Sequence, residues 1–68
     1  MIKYVVFVNE FNPNSDESIE FEVSFNSLKE VTNYTKTFYD RKYCCGRVEK
    51  WSKENGDDSF ISDIIMRF

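Results

Sequence analysis

The chain has 68 residues and a formal net charge of −3, with twelve aromatic side chains and no histidine. A chain of this length forms one domain, here residues 1–68, and buries only about 60% of the surface that it exposes when unfolded. The longest apolar run, Tyr4–Val8, is far shorter than the roughly 18 residues of a membrane span, and no signal-peptide core precedes it. We therefore expect a soluble, cytoplasmic protein without membrane contact.

The absence of histidine removes the usual base for a cysteine or serine nucleophile and a common type of zinc ligand. The two cysteines, Cys44 and Cys45, are adjacent, so in a strand they point to opposite faces and cannot share a metal ion or an unstrained disulfide. Acidic neighbours such as Glu20 and Glu22 more often form a solvated face than an acid–base pair. We predict a non-enzymatic protein with no catalytic residues, no cofactor and no metal.

The first predicted element is a strand over Ile2–Phe11, because β-branched and aromatic residues dominate this segment. The segment is apolar on both parities, so both of its faces require cover. Residues 12–16 contain Asn-Pro followed by small polar residues and predict a reversal of the chain. Ser18–Phe25 then alternates apolar and polar residues, which predicts a strand with one solvated face.

A helix is predicted after this strand. Ser27 followed three residues later by Glu30 is a capping box, which is typical of a helix N-terminus. We expect the helix to end near Asp40 and to pack its apolar stripe on a sheet. The residues of this stripe are Leu28, Val31, Thr35 and Phe38.

Two further strands complete the prediction. In Tyr43–Lys53, Gly46 marks a bulge or a close backbone approach, and four charged residues favour an edge position. Asn55-Gly56 is typical of a two-residue hairpin turn, but a longer loop fits equally well and the facing of Trp51 stays open. Ser59–Phe68 is predicted as a strand, with a helix as the alternative that its isoleucine spacing also fits.

The order strand, strand, helix, strand, strand predicts an α+β fold with a four-stranded sheet and one helix packed on one face. This element order resembles the β-grasp arrangement, in which the first and last strands lie parallel at the centre of the sheet. The resemblance implies that the second and third strands are edges, in agreement with their charges. We expect the helix on the side of the first strand that carries Ile2, Tyr4, Val6 and Val8.

A single helix leaves the other face of such a sheet open. An open apolar face is either a shallow core screened by the stems of Lys3, Lys50 and Arg67 or a contact surface for a protein. We favour the contact surface, with a larger protein or a second copy as partner, and the strand Ser18–Phe25 offers a further route through strand addition. The predicted protein-binding residues are Val5, Phe7, Lys50, Ile61, Ile65 and Arg67.

These observations predict a small protein-binding module, a stoichiometric inhibitor or adaptor. Phe, Tyr, Asn, Lys, Ile and Met, which have AT-rich codons, supply 30 residues, whereas Gly, Ala, Arg and Pro supply six. This composition favours a phage or mobile element of a low-GC bacterium as the source and a host protein as the target. Complementary charge would orient the encounter with a basic groove of that target. The acidic residues concerned are Asp16, Glu17, Glu20 and Glu22.

The alternative is a small nucleic-acid-binding protein. Residues 36–53 contain six basic and two acidic residues interleaved with aromatic side chains. Such a mixture can follow a phosphate backbone while bases stack on the rings. The net charge of −3 opposes this alternative, because the whole molecule is repelled by phosphate. Its binding residues would be Lys36, Arg41, Lys42, Arg47, Lys50 and Lys53.

Overall fold

The computed structural model of the chain describes residues 2–54, 56 and 58–68. Within these residues the elements are strand β1 (Ile2–Asn12), strand β2 (Glu17–Phe25), helix α1 (Leu28–Thr35), strand β3 (Cys44–Ser52) and strand β4 (Ile61–Arg67). A 3₁₀ turn, Lys36–Phe38, continues α1. The predicted α+β class and element order are confirmed, and the last segment is a strand rather than a helix.

The four strands form one antiparallel sheet in the order β2-β1-β3-β4. β1 and β3 therefore lie at the centre, and β2 and β4 are the edges. The arrangement implied by the β-grasp resemblance is wrong on this point, because β1 and β4 are neither neighbours nor parallel. The charges of β3 project from the faces of the sheet, and a central strand can carry them where one face is open to solvent.

The core lies between the sheet and α1, on the side of β1 that the sequence predicted. Val6 and Val8 of β1 and Val48 of β3 are buried there against Val31 and Phe38 of the helical segment. Because these side chains are small and few, partly buried rings and thioether groups extend the apolar layer. They include Tyr4, Phe25, Tyr34, Met66 and Phe68.

The start of the helix is as predicted, and its end comes earlier. The Ser27 hydroxyl accepts a hydrogen bond from the Glu30 N–H at 3.3 Å, so the N-cap is confirmed. The α-helix ends at Thr35 and its 3₁₀ turn ends before Asp40. Three threonine hydroxyls donate to carbonyl groups three or four residues earlier, and this competition weakens a helix end. Leu28, predicted on the buried stripe, is exposed instead.

Gly46 is the site of a close backbone approach, as its position in a strand predicted. A Cβ atom there would overlap the Phe7 carbonyl oxygen and the ring of Phe68. Phe68 also pairs with Gly46 through two backbone hydrogen bonds of 2.9 and 3.0 Å. The β-bulge of the sheet lies elsewhere: it falls in β4, where Ile65 is the extra residue.

The connection from β3 to β4 is longer than a two-residue hairpin, because Ser52 pairs with Ile61. Asn55 of the predicted turn lies outside the described residues, whereas Gly56 has a left-handed backbone with φ of 86°. Trp51 pairs with Lys3 of β1 and faces the side of the sheet opposite α1. The loop length that the sequence left open therefore resolves in favour of the longer alternative.

Candidate protein-binding site

The side of the sheet opposite α1, here called the open face, carries the odd-numbered residues of β1 and β3. Val5 is only 4% exposed there, and Phe60 of the β3–β4 connection lies on the same face, with its ring centroid 5.8 Å from that of Trp51. The Arg47 guanidinium lies 4.2 Å from the Phe7 ring centroid, and the Lys3 ammonium lies 5.0 Å from that of Trp51. Long charged side chains thus screen a shallow apolar layer by stacking on its rings.

Glu49 organises the charges of the open face. Its carboxylate accepts hydrogen bonds from Arg47 Nε at 2.6 Å and from Trp51 Nε1 at 3.0 Å. The hydrogen bond from Arg47 is the main cause that lowers the pKa of Glu49; partial burial opposes it, and the Trp51 hydrogen bond adds to it. Because the carboxylate fixes the Arg47 side chain, it also holds the guanidinium over Phe7.

We expect Glu49→Gln to lower the free energy of unfolding by about 1 kcal/mol at neutral pH, because the neutral amide removes the negative charge that attracts the Arg47 guanidinium. The pKa of Glu49 is lower in the folded chain than in the unfolded chain, where it is about 4.3. Its contribution is therefore complete above that value and is lost as the pH falls through the folded pKa. Thermal melts of the two proteins should converge in acid. A difference that stays constant with pH would exclude the charge as its cause.

One row of paired residues crosses the open face from edge to edge. Glu22 of β2 pairs with Phe7, Phe7 with Arg47, and Arg47 with Arg67 of β4. These residues line a groove of about 670 Å³, to which Glu20 also contributes. The β2 wall of the groove is acidic and the wall formed by β3 and β4 is basic. Neither Glu22 nor Arg67 forms an ion pair within the described residues.

β4 presents isoleucine side chains at the other edge of the sheet. Ile61, Ile64 and Ile65 are 57%, 49% and 43% exposed. The register places Ile61 on the α1 side and Ile64 on the open face, and Ile65 is the extra residue of the bulge. α1 packs mainly on β1 and β2 and does not cover β4. No strand lies beside the outer edge of β4 in the described part of the chain.

The residues predicted to bind a protein are divided between two surfaces. Val5, Phe7 and Arg67 lie on the open face, and the row of paired residues that crosses this face includes Phe7 and Arg67. Lys50 and Ile61 lie on the α1 side, because they share the register positions of the core residues of β1. Lys50 therefore does not screen the open face. Arg47, which the sequence assigned to a nucleic-acid interface, has that role.

The sequence did not single out Ile64. A regular strand starting from Ile61 would place Ile65 on the same face, and the prediction relied on that alternation. Ile64 lies on the open face because it follows Ile61, which faces α1, by three residues. The bulge at Ile65 then brings Arg67 rather than Met66 to the open face. No turn residue or glycine in β4 indicates a bulge, so its only signal is the pairing with β3.

The six basic residues of the nucleic-acid alternative do not form one surface. Arg47 is on the open face, whereas Lys50 is on the α1 side. Arg41 forms an ion pair with Glu10 at 3.3 Å and stacks on the Phe38 ring at 5.1 Å. The remaining three lie at the end of the helix and on either side of β3, and they are Lys36, Lys42 and Lys53.

The cysteines lie on opposite faces of β3, as predicted from their adjacency. Cys44 is half-buried beside the core, and Cys45 is exposed on the open face. Burial, followed by the negative charge of Glu10, raises the pKa of the Cys44 thiol. A protonated thiol is a weak nucleophile, so Cys44 contributes to packing beside the core and not to reactivity.

Neither a metal site nor a membrane-spanning helix is found in the described residues. Among residues 2–54, 56 and 58–68, no three metal-ligating side chains cluster together. In the same residues, no helix has the length and apolar character needed to cross a membrane. Comparisons of the chain with protein-family models, with curated proteins and with solved structures find no match.

Proposed function

We propose that the protein is a non-enzymatic protein-binding module, an inhibitor or adaptor that acts stoichiometrically on a larger protein, and that β4 is its docking strand. The observation that carries the proposal is the exposure of Ile61, Ile64 and Ile65 along an edge with no neighbouring strand in the described chain. Exposed apolar side chains at a free strand edge are typical of a site where another chain binds.

A comparison of the two sheet edges supports β4 over β2. β2 carries Glu17, Glu20 and Glu22, and charged side chains are a common protection of edge strands. β4 contains one acidic residue, Asp63, which is paired in register with Lys50. The strand-addition route that the sequence suggested for β2 is therefore better supported at β4.

The chemistry of β4 defines the segment that it would bind. Strand addition joins backbone groups and selects side chains on alternate faces. The bulge at Ile65 interrupts regular pairing, so the usable stretch is Ile61–Ile64. We expect an extended partner segment with apolar side chains on both faces. If the source is a phage or mobile element, as the composition favours, this segment belongs to a host protein.

The test compares three immobilised proteins in a lysate of a low-GC bacterium. The double variant Ile61→Ser/Ile65→Ser should lose about 2 kcal/mol of binding to the retained target, roughly a 30-fold increase in Kd. The matched control is Ile19→Ser, which changes an equally exposed isoleucine (61%) on the other edge strand. Thermal melts should show small changes for both, because all three positions are exposed.

The outcomes separate the proposal from its alternative. Equal retention of a target by all three proteins would exclude β4 as the docking strand. Failure of the wild-type protein to retain any target would contradict the proposed class. Salt-sensitive binding of a single-stranded oligonucleotide, measured by fluorescence anisotropy, would favour the nucleic-acid alternative instead.

A further inference from the structure

Glu22 and Arg67, the charged ends of the row of paired residues that crosses the open face, cannot pair with each other within one copy. Glu22 and Arg67 lie on opposite edge strands, three strand spacings or roughly 14 Å apart. Arg67 is placed directly opposite Arg47, and like charges in that position repel each other. Within one copy, the acidic end and the basic end of the row therefore both lack a partner in the described chain.

The same row is complementary to a second copy of itself. A twofold axis parallel to the strands, passing between β1 and β3, reverses the order of the four strands in the facing sheet. It places Glu22 of each copy opposite Arg67 of the other, and Phe7 opposite Arg47. A twofold axis perpendicular to the strands would instead set Glu22 against Glu22. The distribution of charge thus selects one orientation.

We propose that the protein forms a symmetric dimer in which the two open faces stack as a two-layer sandwich. Facing sheets pack about 10 Å apart with their strands nearly aligned, a spacing that interdigitated side chains fill. Val5 and Phe7 lie near the axis, and Glu22 and Arg67 lie at the rim, where ion pairs set orientation. Val5 faces Glu49 of the second copy, and the charge of Glu49 is already balanced by Arg47.

This inference goes beyond the proposed function, because it uses the open face, whereas target binding uses the outer edge of β4. Ile64 is the docking isoleucine that also lies on the open face. The sandwich buries the open face and leaves the outer edge of β4 free on each copy. Loss of the dimer and loss of target binding can therefore be produced by different substitutions and measured separately.

The experiment is a charge exchange followed by sedimentation equilibrium. The wild-type protein should sediment as a species of twice the protomer mass of 8.2 kDa. Glu22→Arg and Arg67→Glu should each raise the dimer Kd about 10-fold or more, because each replaces two attractive pairs per dimer with repulsive ones. The double variant Glu22→Arg/Arg67→Glu restores both pairs in reversed order, and its Kd should return to within about threefold of the wild-type value.

Matched controls change the same charges away from the open face. Lys29→Glu on the exposed side of α1 and Glu17→Arg, which lies at the start of β2 on the α1 side, should leave the dimer Kd unchanged. Arg67→Glu also removes the repulsion from Arg47, so its monomer should melt no lower than the wild type. A low dimer affinity in that variant therefore cannot be ascribed to unfolding.

Three results would overturn the proposal. The first is a wild-type protein that remains monomeric at about 1 mM, because its free energy of dimerisation would then be weaker than about −4 kcal/mol. The second is a double variant no tighter than the single variants. The third is a dimer that Ile61→Ser/Ile65→Ser dissolves while Glu22→Arg does not, which would assign self-association to the β4 edge.

Discussion

Val31→Asp is expected to unfold the protein. Val31 is completely buried between α1 and the sheet, in contact with the cluster formed by Val6, Val8 and Val48. The basic side chain that the described contacts bring to this cluster is Arg41, which stacks on the Phe38 ring and pairs with Glu10. A carboxylate at the fully buried position 31 would therefore have no partner, at a cost of several kcal/mol. That cost is comparable to the whole stability of a small domain. Circular dichroism should show no cooperative melt.

The matched control is Lys29→Asp, two residues earlier on the exposed side of the same helix. Its melting temperature should change little, because an exposed substitution costs within about 0.5 kcal/mol. A cooperative melt retained by Val31→Asp at the wild-type temperature would mean that α1 does not pack on the sheet through this face.

Gly46→Ala is expected to lower the free energy of unfolding by about 3 kcal/mol, the upper end of the usual cost of overpacking. The added Cβ would overlap the carbonyl oxygen of Phe7 on the neighbouring strand and lie 2.5 Å from Cζ of Phe68. The ring could rotate away, but the carbonyl belongs to the backbone of a central strand and can move only with the sheet. Overpacking of this kind is destabilising because close-packed interiors cannot absorb it. Urea denaturation followed by tryptophan fluorescence would measure the loss.

The same substitution at the second glycine separates crowding from backbone strain. Gly56 has a φ of 86° with no atom within 4 Å of the position of a Cβ. Gly56→Ala should therefore cost only about 1 kcal/mol, the strain of an alanine in the left-handed region. Equal losses for the two variants would argue against the close approach of β1 and β3 at Gly46.

Local patterns predicted the elements and the buried side of the sheet. The parity of Val6 and Val8, the cap at Ser27 and the burial of Val31 all follow from residues close together in sequence, and the structure confirms them. The predicted burial of Leu28 and the predicted end of the helix near Asp40 were wrong, because the apolar stripe alone does not show at which residues packing on the sheet begins and ends. The α-helix passes into a 3₁₀ turn where two threonine hydroxyls bond to carbonyl groups three residues earlier.

The order of the strands could not be read in the same way. The charges on β3 predict an edge strand, but Arg47 and Glu49 bond to each other on the open face of a central strand. The assignment of Ile61 and Ile65 to the open face failed for a related reason: pairing with β3 sets Ile61 on the α1 side, and Ile65 is the extra residue of a bulge, which is a property of two paired strands. Arg47 and Arg67 become neighbours only through the pairing of β3 with β4, so the sequence alone does not predict the basic half of the row.

The difference between the two edges of the sheet also limits the size to which the protein can polymerise. If β2 of one copy paired with β4 of the next, the contact would not close, and copies would add without end into a filament. Pairing of two β2 edges would bring Glu20 and Glu22 against the same residues of another copy, which is repulsive. The bulge at Ile65 breaks the regular template that the other edge would offer. The acidic β2 edge and the bulged β4 edge thus both oppose growth of the sheet from copy to copy, despite the three exposed isoleucines of β4.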